Sequence, residues 1–477
     1  MAPDDDHDCG WKAYAKAQDA KLAEVNAKLV ELERRFLAKK SERRKTTKLP
    51  PPLPTRADPE ETKAKRAKLA ALREGAVHTE HETVRVPDAS RACPSCASND
   101  LREVGGGKSS TVYDYVQPHF RKRVIHRETL SCRCGHIVTA PAPDRVGEKT
   151  RYGASFVAHL VVSKCAHSIP QYRLEKEYRN LGVPMSRSTM CSLIHRGARE
   201  LRPLYDVALG LVAHAPDVHA DETSVHQQDL SRRAFLWSFV TREMVVYKYA
   251  PSRSGEVPAK ILGTSKGRLV VDQHTGYNAV TKPGGRTRAG CIAHARRKIF
   301  EQSEHPETKE ALDLIAEIYR VEALAKKMGI VGTDAHLALR VERSRPLFAR
   351  LLRWGHRHRP AFEPRSGMGR AIGYLLRHFR ALGCFLRYAS IPPDNNIAEA
   401  SLRRVALGRS NFLFVGHAEA GDDLAVLYTL VASCEKHAVN PLAYLTDVLT
   451  RVHRHPAARI RELLPDRWKP PDGAACS

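Results

Sequence analysis

Near residue 215 the hydrophobic pattern changes period, and that change restricts the fold more than any other feature of the chain. Upstream, apolar residues recur at spacings of three and four. From here "PDVHADETSVHQ", "RRAFLWSFVTRE" and "MVVYKYAPSRS" read as three consecutive strands joined by polar turns. A short helix, "SGEVPAKILG", follows. Then come a buried strand, "GRLVVDQHTGY", and "AGCIAHARRKIFEQ", a strand running into a helix. Residues 301–390 read as helical and strongly basic, and 422–455 as an apolar helix followed by a terminal one.

Three strands, a helix, a fourth strand and a helical insertion ahead of a late helix make the element order of an RNase H-like α/β core. The expected boundaries are 213–420 for this core, with the insertion at 301–390, and 421–477 for a C-terminal helical segment. The whole is an α+β multidomain chain, since 477 residues allow two to four domains.

Four shorter regions precede the core. Over 11–43, Leu22, Val25, Leu29, Leu32 and Phe36 mark the a/d seam of a coiled coil. The seam is short, so a helix packed on its own protein fits it nearly as well as a dimer zipper. Residues 44–87 are basic and broken by prolines, the composition of a linker. Residues 88–142 carry Cys93 and Cys96, then Cys132 and Cys134, two close pairs that suit a structural Zn²⁺ ribbon. The one-residue gap of the second pair distorts its turn, and His136 or His119 could replace a thiolate. Over 150–212, a helix from Pro170 stops at Gly182 and another restarts behind Ser186, a plausible N-cap. That is a helix-turn-helix outline, with Arg187, Ser188 and Thr189 facing a groove or phosphates. Any small helical bundle shares this outline.

Lys and Arg number 78 against 53 Asp and Glu, a net charge of +25, which calls for a polyanionic partner such as nucleic acid. A membrane is the weaker choice, because no apolar run approaches the roughly 20 residues a spanning helix needs. The acidic start "MAPDDDHDCGWK" lacks the apolar segment of a signal peptide, so a cytoplasmic, nucleoid-associated protein is expected. Isolated cysteines in apolar surroundings, Cys165, Cys191, Cys291, Cys384 and Cys434, then read as small buried hydrophobes rather than disulfide partners.

Three carboxylates carry the chemistry. Asp221 lies in the first core strand, where a lone buried carboxylate must be paired, capped or metal-bound. Asp272 ends the fourth strand, at the carboxyl edge where open sheets place their sites. Glu399 lies on the late helix, in "PDNNIAEASLRRVALGRSNFLFVG". Each has a plainer role: strand-end turn, start of the "QHTG" turn, or partner of Arg403 at i,i+4. Together they suit Mg²⁺ or Mn²⁺, hard cations that take oxygen ligands.

At these motifs the chain resembles the transposases of the insertion sequence 66 family, nearly end to end. "RFLAKKSERR", the cysteine pairs, "YGASFVAHLVVSKCAHSIPQYRLEKEYRNLGVPMSRSTM", "HADETSV", "VVDQHTGY", "GCIAHARRKIF", "PDNNIAEASLRRVALGRSNFLFVG" and "NPLAYLTDVL" follow in the family's order. The resemblance implies a DDE-type transposase with Asp221, Asp272 and Glu399 as its metal-binding triad. Arg403, Arg404 and Arg409 would then hold the DNA backbone, and Arg296 and Arg297 would add cations near the same strand end. Asn395 and Asn396 would fix the turn into the helix of Glu399, Asp394 would cap it or stand as the rival third acid, and His294 would serve a structural or a catalytic role. Ala400 stands where the family usually has Arg, and Ser410 where Lys is usual. The partners implied are element ends and target DNA, a second copy of the chain, and small accessory transposition proteins. A transposase-derived DNA-binding protein without catalysis, and an RNase H-like nuclease that never joins, are the alternatives.

Overall fold

The computed structural model describes residues 152–229 and 233–470, with a few isolated positions before them. From residue 120 onward they belong to one of two compact units, Lys108–Ala474. The coiled coil expected over 11–43, nearly all of the 44–87 linker and the four paired cysteines lie outside the described residues. Of the expected zinc segment, a short antiparallel pair, Thr129–Ser131 with Ile137–Thr139, is described.

The alternating runs form strands β1 (Asp217–His226), β2 (Arg233–Val240) and β3 (Val245–Ala250). They pair antiparallel in sequence, β1 with β2 and β2 with β3. Helix α4 (Glu256–Leu262) then carries the chain to β4 (Arg268–Val270), parallel to β1, and β5 (Thr287–Ala289) adds parallel to β4. The result is a mixed five-stranded sheet in the order β3-β2-β1-β4-β5. The fourth strand is shorter than its apolar run suggested: it stops at Val270, and Thr275–Tyr277 is a tight 3₁₀ turn. Asp272 therefore lies just past the strand rather than on it.

Helices α1 (Ala154–Cys165), α2 (Gln171–Asn180) and α3 (Arg187–His214) share one apolar core with the sheet. Ser186 caps α3 by accepting the Thr189 N–H. The buried residues of α3, from Met190 through Leu193, Ile194, Leu201 and Tyr205 to Val212, recur at helical spacing along its whole length. Where α1 crosses α3, a Cβ on Gly197 would stand 2.9 Å from Val157, so a glycine permits the approach.

The late helix α9 (Asn396–Phe412) and the apolar helix α10 (Ala418–Lys436) complete this layer. Gly421, Ala425, Thr429 and Ser433 repeat every fourth residue along α10, and this stripe runs beside the outer strand β3. Thr429 and Ser433 accept the N–H groups of Tyr247 and Val245, which an edge strand would otherwise leave unpaired. The terminal helix α11 (Pro441–Arg451) closes the core through Tyr444 and Leu445.

A second core lies at the β4–β5 side. There α5 (Ile292–Phe300), α6 (Thr308–Lys327), α7 (Arg345–His358) and α8 (Gly367–Arg377) pack Ile299, Ile315, Trp354 and Ile372 together with Val270 and Ala289. Asp334–Leu339 and a π-helical turn, Arg340–Ser344, lead directly into α7. Among the described residues no helix is long and apolar enough to cross a membrane.

Candidate active site

Strand register brings the first two acids together. The parallel pairing of β1 with β4 sets Asp217 against Arg268 and His219 against Val270. Two residues past the end of that pairing, Asp272 leaves β4 on the side of Asp221, and its charge acts on the Asp221 carboxyl. A nearby backbone N–H holds each carboxylate. Asp221 Oδ1 accepts the Glu222 N–H at 3.0 Å, and Asp272 Oδ1 accepts the His274 N–H at 2.8 Å. The second oxygen of each is left for another partner.

The third acid is delivered by Asn395. This side chain is buried, donates through Nδ2 to the Ala220 carbonyl at 2.8 Å and meets His219 Nδ1 at 3.1 Å. Its backbone N–H points to Cys291 Sγ at 3.3 Å. The start of α9 is thereby fixed to β1 beside Asp221, with Glu399 in its first turn. Asp394 accepts the Asn396 N–H at 3.1 Å, so the residue at the cap position is Asn395 and Asp394 closes the turn ahead of it. Farther along, Ser401 meets Ser238 at 2.6 Å and receives the Tyr247 hydroxyl on its carbonyl at 2.7 Å, seating α9 on the sheet.

The electrostatics are those of acids held close without enough compensation. Burial, followed by the charges of Glu222, Asp272 and Glu399, pushes the Asp221 carboxyl up to about 7, against the opposing Glu222 N–H. Glu399 Oε1 lies 3.6 Å from His294 Nδ1, and both atoms are buried without a hydrogen-bond partner. Cys291 Sγ completes a group whose ligand atoms lie within 4.8 Å of one another. Asp221 and Asp272 are not part of that group; their oxygens and the unbonded oxygen of Glu399 are of the type a hard divalent cation takes.

Glu222, the neighbour of Asp221, was not singled out in the sequence. Its side chain is 1% exposed, accepts Arg253 Nε at 2.6 Å and the Tyr277 hydroxyl, and stands 3.9 Å from His274. It ties the turn after Asp272 to β1. The signal was present in strand alternation, which turns the side chain after Asp221 to the opposite face. Beside Asp272 opens a cleft of about 480 Å³ lined by Gln273, Asn278, Lys282, Arg288, Arg377 and Arg380. Arg288 is held there by Asn278 Oδ1 at 2.9 Å and the His274 carbonyl at 2.6 Å. Sequence reasoning missed this cleft too, because its cations come from segments about a hundred residues apart.

The expected DNA-binding residues fall into two groups. Arg297 and Arg403 are exposed on helices that start at the acid cluster. Arg404 is turned away onto Glu435 at 2.5 Å, with its side chain 18% exposed, and Arg409 donates to Ser224 O at 2.6 Å and Thr223 Oγ1 at 3.1 Å. Both have partners within the chain, Arg404 half-buried and Arg409 still exposed. Arg296 lies over the Phe300 ring of its own helix. At the start of α3, Arg187 pairs with Glu175 at 3.3 Å while Ser188 and Thr189 share hydroxyl contacts with Ser186.

Comparison with known proteins places the chain in a family. Residues 149–423 match the family model described as "Transposase IS66 family", and residues 429–465 match its C-terminal element. Residues 90–135, which take in all four paired cysteines, match the zinc-finger binding domain of transposase IS66. Three similar proteins of Sinorhizobium fredii each carry the description uncharacterized. Protein y4jD is 31% identical over 421 residues, 82% of this chain and 81% of its own length. Protein y4hP is 29% identical over 408 residues, covering 79% and 73% of the two chains. Protein y4qI is 30% identical over 402 residues, covering 79% and 74%.

Proposed function

The chain belongs to the IS66 family of transposases, and from that premise we propose that it cuts phosphodiester bonds at the ends of a mobile element and joins the freed 3′ ends to target DNA. The core around the mixed sheet is then RNase H-like, and Asp221, Asp272 and Glu399 are the DDE triad. The observation that supports this reading is electrostatic: burial and the charges of Glu222, Asp272 and Glu399 push Asp221 up to about 7, and Glu399 keeps an unbonded oxygen.

These residues would hold Mg²⁺ or Mn²⁺. Such a cation, when bound, activates an attacking water or 3′ hydroxyl and neutralises charge on the leaving oxygen. The chain's own part is positioning. Neighbouring backbone N–H groups fix one oxygen each of Asp221 and Asp272, and Asn395 fixes the helix of Glu399. Arg297, Arg403 and the cleft residues Lys282, Arg288, Arg377 and Arg380 offer phosphate contacts on either side, worth more at low salt. In the same reading Arg187, Ser188 and Thr189 open a helix whose N-terminus favours a phosphate. Cys93, Cys96, Cys132 and Cys134 hold structural Zn²⁺ in a module that reads element ends, and the coiled coil pairs protomers so that two ends meet. Accessory proteins complete a cytoplasmic, nucleoid-associated assembly.

The test uses purified chain, DNA flanking its gene, a target plasmid and Mg²⁺ or Mn²⁺, comparing wild type with Asp272→Asn. The expected result is nicked and joined DNA from wild type alone. Equal activity in both would remove Asp272 from the chemistry, and cutting without joining when target and accessory proteins are supplied would make the chain a nuclease.

A further inference from the structure

Besides the acid cluster, a thiol, an imidazole and a carboxylate stand in sequence on two helices. Cys191 and His195 are four residues apart on α3, so they share one face. That spacing sets the Cys191 thiol beside the His195 imidazole. His195 Nδ1 in turn meets Asp423 Oδ2 of α10 at 2.7 Å. Asp423 is almost buried, and its other oxygen lies 3.5 Å from Arg202 Nη2, two turns along α3 from His195. The ring of His417 stacks on His195 with centroids 6.2 Å apart. With Nδ1 committed to Asp423, the other ring nitrogen is the one available to take the thiol proton.

We propose that Cys191, His195 and Asp423 form a nucleophilic thiol site, open to covalent modification by peroxides and other small electrophiles. The contrast with the other described cysteines supports the assignment. Cys165, Cys291, Cys384 and Cys434 are all buried, whereas Cys191 is partly exposed. Burial pushes Cys165 up to about 12 and Cys291 up to about 11, the direction of inert structural thiols. Cys191 moves the opposite way. The hydrogen bond from His195 lowers it, burial opposes, and the charges of His195 and Lys164 and a bond from Gln171 lower it further. His195 is pushed up to about 9, first by its bond to Asp423 and then by Cys191. The groups facing the thiol are thus His195 from α3, Lys164 from α1 and Gln171 from α2, with Asp423 and His417 behind the imidazole. Lys164 is held there over the Phe412 ring at 4.1 Å.

With peroxide the atoms balance inside the pair. The thiolate sulfur attacks one peroxide oxygen, and the S–O bond forms as the O–O bond breaks. Sulfur is oxidised to a sulfenic acid and peroxide is reduced. The departing hydroxide takes the imidazolium proton and leaves as water. No second cysteine is required.

The experiment uses the full native chain, iodoacetamide as the probe and peptide mass spectrometry to assign each adduct. The expected result is a Cys191 alkylation profile that inflects below about 8.5, the value of an unperturbed thiol, with Cys165, Cys291, Cys384 and Cys434 unlabelled until the chain is denatured. Peroxide followed by dimedone should mark the same residue. Asp423→Asn should cut the pH 6 rate at least tenfold and move the inflection toward about 8.5, the value of an unperturbed thiol. A wild-type profile that already inflects at about 8.5 or above overturns the proposal. That result does not depend on any variant folding. A folded Asp423→Asn chain with an unchanged profile overturns it as well.

Discussion

Two buried charge centres in this molecule are built on opposite plans. In the helical region Arg340 is 1% exposed, yet every direction of its guanidinium is answered. Glu322 takes it at 2.7 and 2.6 Å, and the carbonyls of Phe385 and Ile391 take it at 3.0 and 2.9 Å, with those of Tyr388 and Ala389 at 3.3 Å. Around Asp221, burial and then three neighbouring acids raise the carboxyl, and Glu399 Oε1 has no hydrogen bond. Where charge holds helices together it is met by partners; under the proposed function the acids are left for a cation. Burial alone therefore does not mark a functional acid; missing compensation does.

The contrast breaks most readily at Arg340. Arg340→Met strips Glu322 of its partner and several carbonyls of their donor, and breaking a buried pair of this kind costs about 3–5 kcal/mol. Chemical denaturation monitored by the fluorescence of Trp354, buried in the same core, is the check. The acid cluster should answer with the opposite sign: in cation-free buffer Asp221→Asn raises Tm, because it removes a repelled charge and keeps the shape. Next in size is Asn395→Ala. It leaves the Ala220 carbonyl without its donor and should cost about 1–3 kcal/mol, while lowering any cation affinity that depends on Glu399. Calorimetry with and without Mn²⁺ separates the two effects.

The smallest effect concerns pH. His195 is raised to about 9 from the ordinary 6.5, so the folded chain keeps this proton across a window in which the unfolded chain has lost it. Its contribution to stability is complete below pH 6.5 and disappears as pH rises through about 9. Asp423→Asn should flatten the stability profile over that interval, which urea titrations at several pH values would detect.

What was legible in the sequence follows the reach of the interactions. Strand alternation announced β1, β2 and β3, and their order with the later helix pointed to Asp221, Asp272 and Glu399. The extent of β4 was not legible, because its apolar run continues through Val271 while Asp272 turns the chain onto the His274 N–H. The arginine row was legible as charge and not as geometry. Arg404 finds Glu435 and Arg409 finds Ser224, partners set by how α9 crosses β1 and α10 rather than by neighbours in sequence. Asn395 was read as a turn residue, and its bridge to Ala220 emerged only once β1 and α9 were placed together. Cys191 read as a small buried hydrophobe, but the structure leaves it partly exposed against His195, whose carboxylate partner is 228 residues away.

The central claim is that three carboxylates assemble a divalent-cation site. Mn²⁺ titration followed by electron paramagnetic resonance tests it most directly, on wild type, Asp221→Asn and His294→Ala. The account predicts saturable binding to wild type, loss in Asp221→Asn, and retention in His294→Ala. Binding that survives Asp221→Asn but disappears with His294→Ala would contradict it, placing the cation between Cys291, His294 and Glu399 instead.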